Sequence, residues 1–170
     1  MEILDNEIDI YQSPEEHEWE TFIGPNANYY IPIWHKFQKQ DIKIHVHLPA
    51  LFLNIYWVGY RKMYKYAISY LLFLQIIPLL IFFSIDTGGY FEVQFMLLFS
   101  YPLFGLFSNW LYYKHAQKVI ADIKRSHSNE VSRQKALQEA GQTNSASPFI
   151  LFFLSIFLGL FVPLILTFFN

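Results

Sequence analysis

Three stretches of this chain carry no Asp, Glu, Lys, Arg or His: 66–85, 93–113 and 148–169. Each is about twenty residues, the length a helix needs to cross a hydrocarbon core of about 30 Å. They are predicted to be transmembrane helices. Between the first two, Asp86-Thr87-Gly88-Gly89 opens a segment, 86–92, that reads as a turn because such residues sit poorly in a helix. A shorter apolar run, 49–60, ends in Trp57-Val58-Gly59-Tyr60 and meets Arg61 and Lys62. It is too short to span. It predicts a helix over 48–65 lying in the membrane interface, with Trp57 and Tyr60 at headgroup level and Arg61 and Lys62 in water. A re-entrant segment is the alternative.

The polar parts carry helical patterns of their own. Residues 1–12 read as an acidic, solvated arm. Ser13-Pro14-Glu15-Glu16 is a helix start, with a capping serine, proline at the first turn and Glu three places on. Trp19, Phe22 and Ile23 form its apolar face and Gly24-Pro25 stops it. Asn26 or Asn28 then caps a second helix, with Tyr30, Trp34 and Phe37 near one face and Pro32 demanding a kink or a later start. Tyr29, Tyr30 and Trp34 are expected to pack, inside a small subdomain or against the interface. Ile42, Ile44, Val46 and Leu48 alternate with Lys43, His45 and His47, which predicts a short extended piece completing a helical segment over 13–47. The helix from 93 is expected to continue into water, because Ala116, Val119, Ile120 and Ile123 keep a stripe while Lys114, Lys118, Lys124 and Arg125 take the other side. A short helix over 131–140, stopped by Gly141, and a polar connector complete the 114–147 loop. The predicted fold class is therefore an all-α membrane protein: three transmembrane helices, an interfacial helix and short cytosolic amphipathic helices.

Charge orients that picture. Residues 1–35 hold eight carboxylates and no Lys or Arg, while 36–65 and 112–147 hold six basic residues each. None lies in 86–92 or beyond Lys135. The bias of Lys and Arg toward cytoplasmic segments places the N-terminal region and the 114–147 loop inside, and the 86–92 turn and the C-terminus outside. Apolar residues make up 54% of the chain and charged residues only 15%, which excludes an ordinary soluble domain, where charge runs near roughly 25%. There is no cysteine, hence no disulfide and no thiolate metal site. The acidic start does not resemble a signal peptide.

Chemistry is sparse. Spans without ionisable residues argue against a proton relay or an ion-coupled transporter. No hydrolase elbow, zinc-protease, P-loop or dinucleotide motif occurs. His45 and His47 share one side of an extended piece with His35 nearby, a thin basis for a metal site. Pro78, Pro102 and Pro163, one per span, are expected to kink. Gln75, Ser100, Ser108 and Asn109 are expected to bond between helices, and Ser155 with Gly159 forms one small-residue packing pair. The cytoplasmic borders of the first two spans, 60–64 and 112–115, should lie close in space as a basic, aromatic belt suited to anionic headgroups.

One order of motifs is more specific: Gly24…Asn26…Tyr29-Tyr30, then Trp34…Phe37, then Tyr60-Arg61-Lys62-Met63-Tyr64, then Asn109…Tyr112-Tyr113-Lys114-His115. It resembles the family of small bacterial inner-membrane proteins classed as domain of unknown function 2628, over about 22–115. The stretch 42–54 departs from the family pattern. The resemblance implies a bacterial inner-membrane location and no established activity. It marks Asn26, Asn28, Tyr29, Tyr30, Trp34, Phe37, Tyr60, Arg61, Lys62, Tyr64, Asn109, Tyr112, Tyr113 and His115 as candidate motif and interface residues. No catalytic residue, cofactor or metal is assigned. The expected function is a non-enzymatic accessory or scaffold subunit of a membrane complex, with the helices 14–40 and 114–140 facing the partner. The alternative is a small homo-oligomeric pore or lipid-handling protein. Expected partners are membrane lipid and other membrane subunits or further copies of the chain, not nucleic acid.

Overall fold

The computed structural model describes residues 14–40, 42–84, 92, 93, 95–97, 99–161, 164, 165 and 168. The acidic arm and most of the 86–92 turn lie outside the described residues, although Glu92 is helical. Among the described residues the fold is all-helical and no strand forms. Helix α1 is Pro14–Ile23 and α2 is Ala27–Gln40, joined by a 3-10 turn at Gly24–Asn26. Gly24 has φ +70°, the left-handed conformation a helix-ending glycine adopts without steric cost. Pro32 lies inside α2 and does not delay its start. The alternating piece 42–47 is irregular rather than helical.

The interfacial helix expected over 48–65 is not one helix. It divides into α3, Leu48–Leu53, and α4, Ile55–Tyr60. The break is Asn54, at φ 45° and ψ −118°, a region that asparagine tolerates better than most L-residues. A second positive φ, 58° at Lys62, turns the chain from α4 into α5, Tyr64–Ser84. Nor does the whole segment lie flat on a surface. Ile55, Trp57, Val58 and Gly59 of α4 are buried, and a Cβ on Gly59 would meet Leu151 Cδ1 at 2.3 Å. Of α3 and α4, it is α3 that keeps large apolar side chains outward, Leu48, Phe52 and Leu53.

Helix α6, Ser100–Ser126, carries the second apolar block straight into the basic segment, as one continuous rod. Helix α7, Glu130–Gly141, starts with Asn129 Oδ1 accepting from Val131 N at 2.8 Å. It packs on α1 so closely that a Cβ on Gly141 would meet Phe22 O at 1.6 Å. Helix α8, Ala146–Ile156, runs on into a π turn at Phe157–Phe161.

Of the three predicted spans, α5 alone is long and apolar enough to cross a membrane as one described helix, with its window at Tyr64–Ile81. Its 21 residues measure about 31 Å. Helices α7 and α8 with the π turn meet the same test only as one broken unit, bent by 40°. One core is centred on α1, α2, α4, α6 and α7, and Ala50 of α3, Ala67 and Leu71 of α5 and Leu151 of α8 join it. Its centre is Trp19, Phe22, Tyr30, Trp34, Tyr112 and Leu137. The other faces of α5 and α8, continued by the π turn, direct Ile68, Leu72, Phe73, Ile76, Phe149, Phe153 and Phe157 outward.

Candidate functional site

The centre of the molecule is a buried cation. Arg61 ends α4, where Tyr60 O accepts from Asn144 N at 2.8 Å and the Lys62 turn reverses the chain. That turn carries the Arg61 side chain inward, and only 7% of it is exposed. Its guanidinium lies between two phenol rings, 5.0 Å from the centroid of Tyr30 and 5.0 Å from that of Tyr112. Nη2 donates to Tyr30 Oη at 3.1 Å and Nη1 to Tyr112 Oη at 3.5 Å. Nε has no hydrogen-bond partner among the described residues. None of the ion pairs among the described residues includes Arg61. Its placement in water, expected from the sequence, is therefore corrected. Trp57 is corrected too, since it packs at 4.8 Å against His47 and 6.0 Å from Tyr112 instead of reaching headgroups.

Burying a charge costs several kcal/mol unless partners compensate. Two aromatic faces return on the order of 2 kcal/mol each when desolvated, and the two hydroxyls accept from the charged group without supplying an opposite charge. The arrangement leaves positive potential unbalanced in the protein interior.

His47 is held beside it. Its Nδ1 accepts from Ala50 N at 3.2 Å and thereby caps α3. An accepting Nδ1 assigns the remaining ring proton of neutral His47 to Nε2, which lies 3.4 Å from Tyr30 Oη. Burial, then the Arg61 charge, then His45, hold the His47 pKa down at about 4. The Tyr30 phenol is pushed up, chiefly by burial, with Arg61 opposing.

Two cavities flank Arg61. The larger, about 710 Å³, runs between the 45–49 strap, α3, α4 and the start of α8, along Val46, Leu48, Leu53, Tyr56, Trp57 and Pro148. Such a volume is typical of small-molecule sites, roughly 300–1,000 Å³. The second, about 420 Å³, is lined by Thr21, Asn26, Gln138, Gln142 and Thr143, among others. Asn26, Tyr60 and Arg61 line both. Neither has an acidic residue in its described wall.

The remaining candidates divide by position. Tyr29 is exposed at the rim of the large cavity, 5.7 Å from the His47 ring, whereas Asn28 is exposed and lines neither cavity. Trp34 is fully buried between Trp19, Tyr112 and Tyr113, and Phe37 packs on Tyr113. Asn109 is buried, and its Nδ2 lies 2.9 Å from His45 Nδ1, tying the 42–47 strap to α6. Lys62 donates to Glu139 O at 2.7 Å. The Tyr64 hydroxyl accepts from Asn144 Nδ2 at 2.8 Å. His115 lies 6.2 Å from Tyr66, and burial followed by Lys118 lowers its pKa. The two borders expected to meet do so, through Arg61 and Tyr112. His45 and His47 point to different partners, and no group of three His, Asp or Glu that could hold a metal occurs among the described residues.

Sequence reasoning missed His47 as a cap and Trp57 as interior. The signal available was His47 directly before Leu48-Pro49, an acceptor ahead of a proline in the first helical turn.

The fold and site define a class: a helical protein with an outward apolar face and a lone interior arginine between two cavities. The chain belongs to the family described as protein of unknown function (DUF2628), which it matches over residues 24–118. That span includes Tyr30, His47, Arg61 and Tyr112. No curated protein and no solved structure matches the chain.

Proposed function

We propose that this chain is a bacterial inner-membrane protein that takes up one amphiphilic molecule from the bilayer, a lipid-handling role without catalysis. The observation that carries the reading is the 710 Å³ cavity, whose long apolar wall ends at Arg61 and whose neighbour α3 exposes Leu48, Phe52 and Leu53. An acyl chain gains about 0.8 kcal/mol per buried CH₂ in such surroundings. In this reading 66–85, 93–113 and 148–169 span the bilayer, with the N-terminal region and the 114–147 loop in the cytoplasm. The outward apolar residues of α5 and α8 support it, since so broad an exposed apolar face needs a non-aqueous neighbour. The cavity supports this role above that of an accessory subunit, because α1 and α2 turn Trp19, Tyr30, Trp34 and Phe37 inward rather than toward a partner.

Native mass spectrometry of protein extracted gently from membranes tests the uptake. The expected result is an adduct of one lipid mass, weakened in Leu53→Trp, which fills the cavity. Protein that carries no lipid and binds none after delipidation refutes it. The absence of cysteine makes topology equally direct. Cysteines introduced at Thr87 and Ser128 should label from opposite sides of the membrane.

A further inference from the structure

Resting on that reading of the cavity, we infer that the bound amphiphile has an anionic headgroup, a carboxylate or phosphodiester, seated on Arg61 and the Tyr30 hydroxyl. Three observations meet there. First, Arg61 is buried and, among the described residues, has no carboxylate partner and an unused Nε–H. An arginine side presenting Nε–H and an Nη–H together is the fork that an oxyanion fits.

Second, the hydrogen bonds around Tyr30 leave its own proton over. The Oη accepts from Arg61 Nη2 at 3.1 Å and, in the tautomer set by the Ala50 cap, from His47 Nε2 at 3.4 Å. A phenol oxygen has two lone pairs and one hydrogen, so with both lone pairs engaged the O–H is left to donate. Tyr30 lines the large cavity, as Arg61 does. The two residues thus offer donors and no acceptor.

Third, polarity changes across Arg61. On one side lies the wall of Val46, Leu48, Leu53 and Pro148; on the other lies a more polar cavity, where Thr21, Gln138, Gln142 and Thr143 stand beside Phe22, Ile23 and Pro25. An amphiphile has the same order, chain then charged group then hydrated end. A zwitterion or a cation placed there brings a positive group against Arg61 with no acid in either described wall to receive it. A small free anion satisfies Arg61 and leaves the apolar wall empty.

The test uses the full chain in nanodiscs of phosphatidylcholine and quenching of tryptophan fluorescence by probes with brominated acyl chains. Trp57 lines the cavity and reports on it, and Trp57→Phe is the control that must remove the signal. Four probes share one chain length: a fatty acid, a phosphatidylglycerol, a phosphatidylcholine and an alkyl trimethylammonium. The expected result is at least about tenfold tighter binding of the two anionic probes. The preference falls to within about twofold in Arg61→Gln and stays intermediate in Arg61→Lys, whose ammonium is a point charge without the fork. Tyr30→Phe keeps the charge and should lose part of the preference, so the inference remains testable if Arg61→Gln does not fold. Equal binding of all four probes overturns the anionic headgroup and leaves the amphiphile reading standing. No binding of any probe overturns both. Displacement of the anionic probes by inorganic phosphate at millimolar concentration, with no effect on the others, would reassign Arg61 to a free anion and overturn the lipid source.

Discussion

The two halves of this molecule use aromatic residues in opposite ways. Around α1, α2, α7 and the end of α6, aromatics other than Tyr29 turn inward: Trp34 has no exposed surface, and Trp19, Tyr112 and Tyr113 close around it. Charges such as Lys39, Lys114 and Lys118 stay outside. Along α3, α5 and α8 many large apolar side chains are outside, Phe52 at 80% exposure and Phe149 and Phe153 at 67% each, although Leu71, Leu74 and Leu151 are buried. The first half is built as proteins in water are built, by removing apolar surface from solvent. The second does so on one face only, and in the proposed bilayer its other face needs no cover, because lipid chains are as apolar as the side chains they meet. Small residues and a few polar contacts hold it instead. Ser155 Oγ lies 3.3 Å from Tyr56 Oη, and Gly159 leaves room beside Gln75.

The contrast breaks most sharply under truncation of one aromatic from each half. Trp34→Ala should cost about 3–5 kcal/mol of stability, the usual cost of emptying a large buried aromatic site. Phe52→Ala should stay within about 0.5 kcal/mol in detergent, since it removes no interior contact. Its effect should appear in weaker association with bilayers. Thermal unfolding of both variants in one detergent, with vesicle partition beside it, measures the pair. A similar loss from Phe52→Ala would mean that the outward apolar face packs on something within the protein.

Where the halves join, acidity is the probe. His47 is neutral in the fold, with its pKa drawn from 6.5 to about 4 by burial, then by Arg61 and His45. The unfolded chain takes up that proton first. The stability due to neutral His47 is therefore fully present above about pH 6.5 and is lost as pH falls to about 4, by up to about 3 kcal/mol. Protonation would also set an N–H against the Ala50 N–H that Nδ1 now accepts, and so release the start of α3. Unfolding at several pH values checks this, with His47→Asn expected to flatten the acid side of the curve.

Two glycines compare the tightness of the halves. Gly141→Ala places a methyl against the backbone carbonyl of Phe22 in the aromatic half, and backbone cannot step aside. Gly59→Ala meets the tip of Leu151, a side chain able to rotate. The first should cost about 1–3 kcal/mol and the second less, by denaturant or thermal unfolding.

How much of this was legible in the chain depends on distance along it. The α1 start, the Gly24 stop and the inward faces of α1 and α2 follow from local patterns, because capping and helical periodicity act within a few residues. The meeting of Arg61 with Tyr112 was legible as two borders on one side of a membrane. The burial of Arg61 was not. An arginine followed by Lys62 after an apolar run reads as a wet helix end, and what overrides that reading lies 31 and 51 residues away, in Tyr30 and Tyr112. The break at Asn54 escaped notice for a different reason. No glycine or proline marks it, and a lone asparagine in the left-handed region has little local signature. The large cavity has walls on both sides of that break, and both cavities meet at Arg61 beside the Lys62 turn, so the candidate site was hidden although many of its residues were named.

The smallest expected effect comes from setting a second cation beside Arg61. Lys124 Nζ lies 2.9 Å from Glu18 Oε1, joining α6 to α1, with the lysine about half exposed and the glutamate nearly buried. This cation has what Arg61 lacks among the described residues, a carboxylate, and it has a share of solvent. Water and salt screen such a pair, so its coupling should be about 1 kcal/mol or less. A double-mutant cycle of Lys124→Met and Glu18→Gln measures it, and high salt should shrink it further. The same salt should leave the Arg61 contacts with Tyr30 and Tyr112 almost unaffected, because they lie in the interior and involve no opposite charge. A coupling well above that figure, unmoved by salt, would show that the charged rim of the aromatic half contributes to stability as its core does.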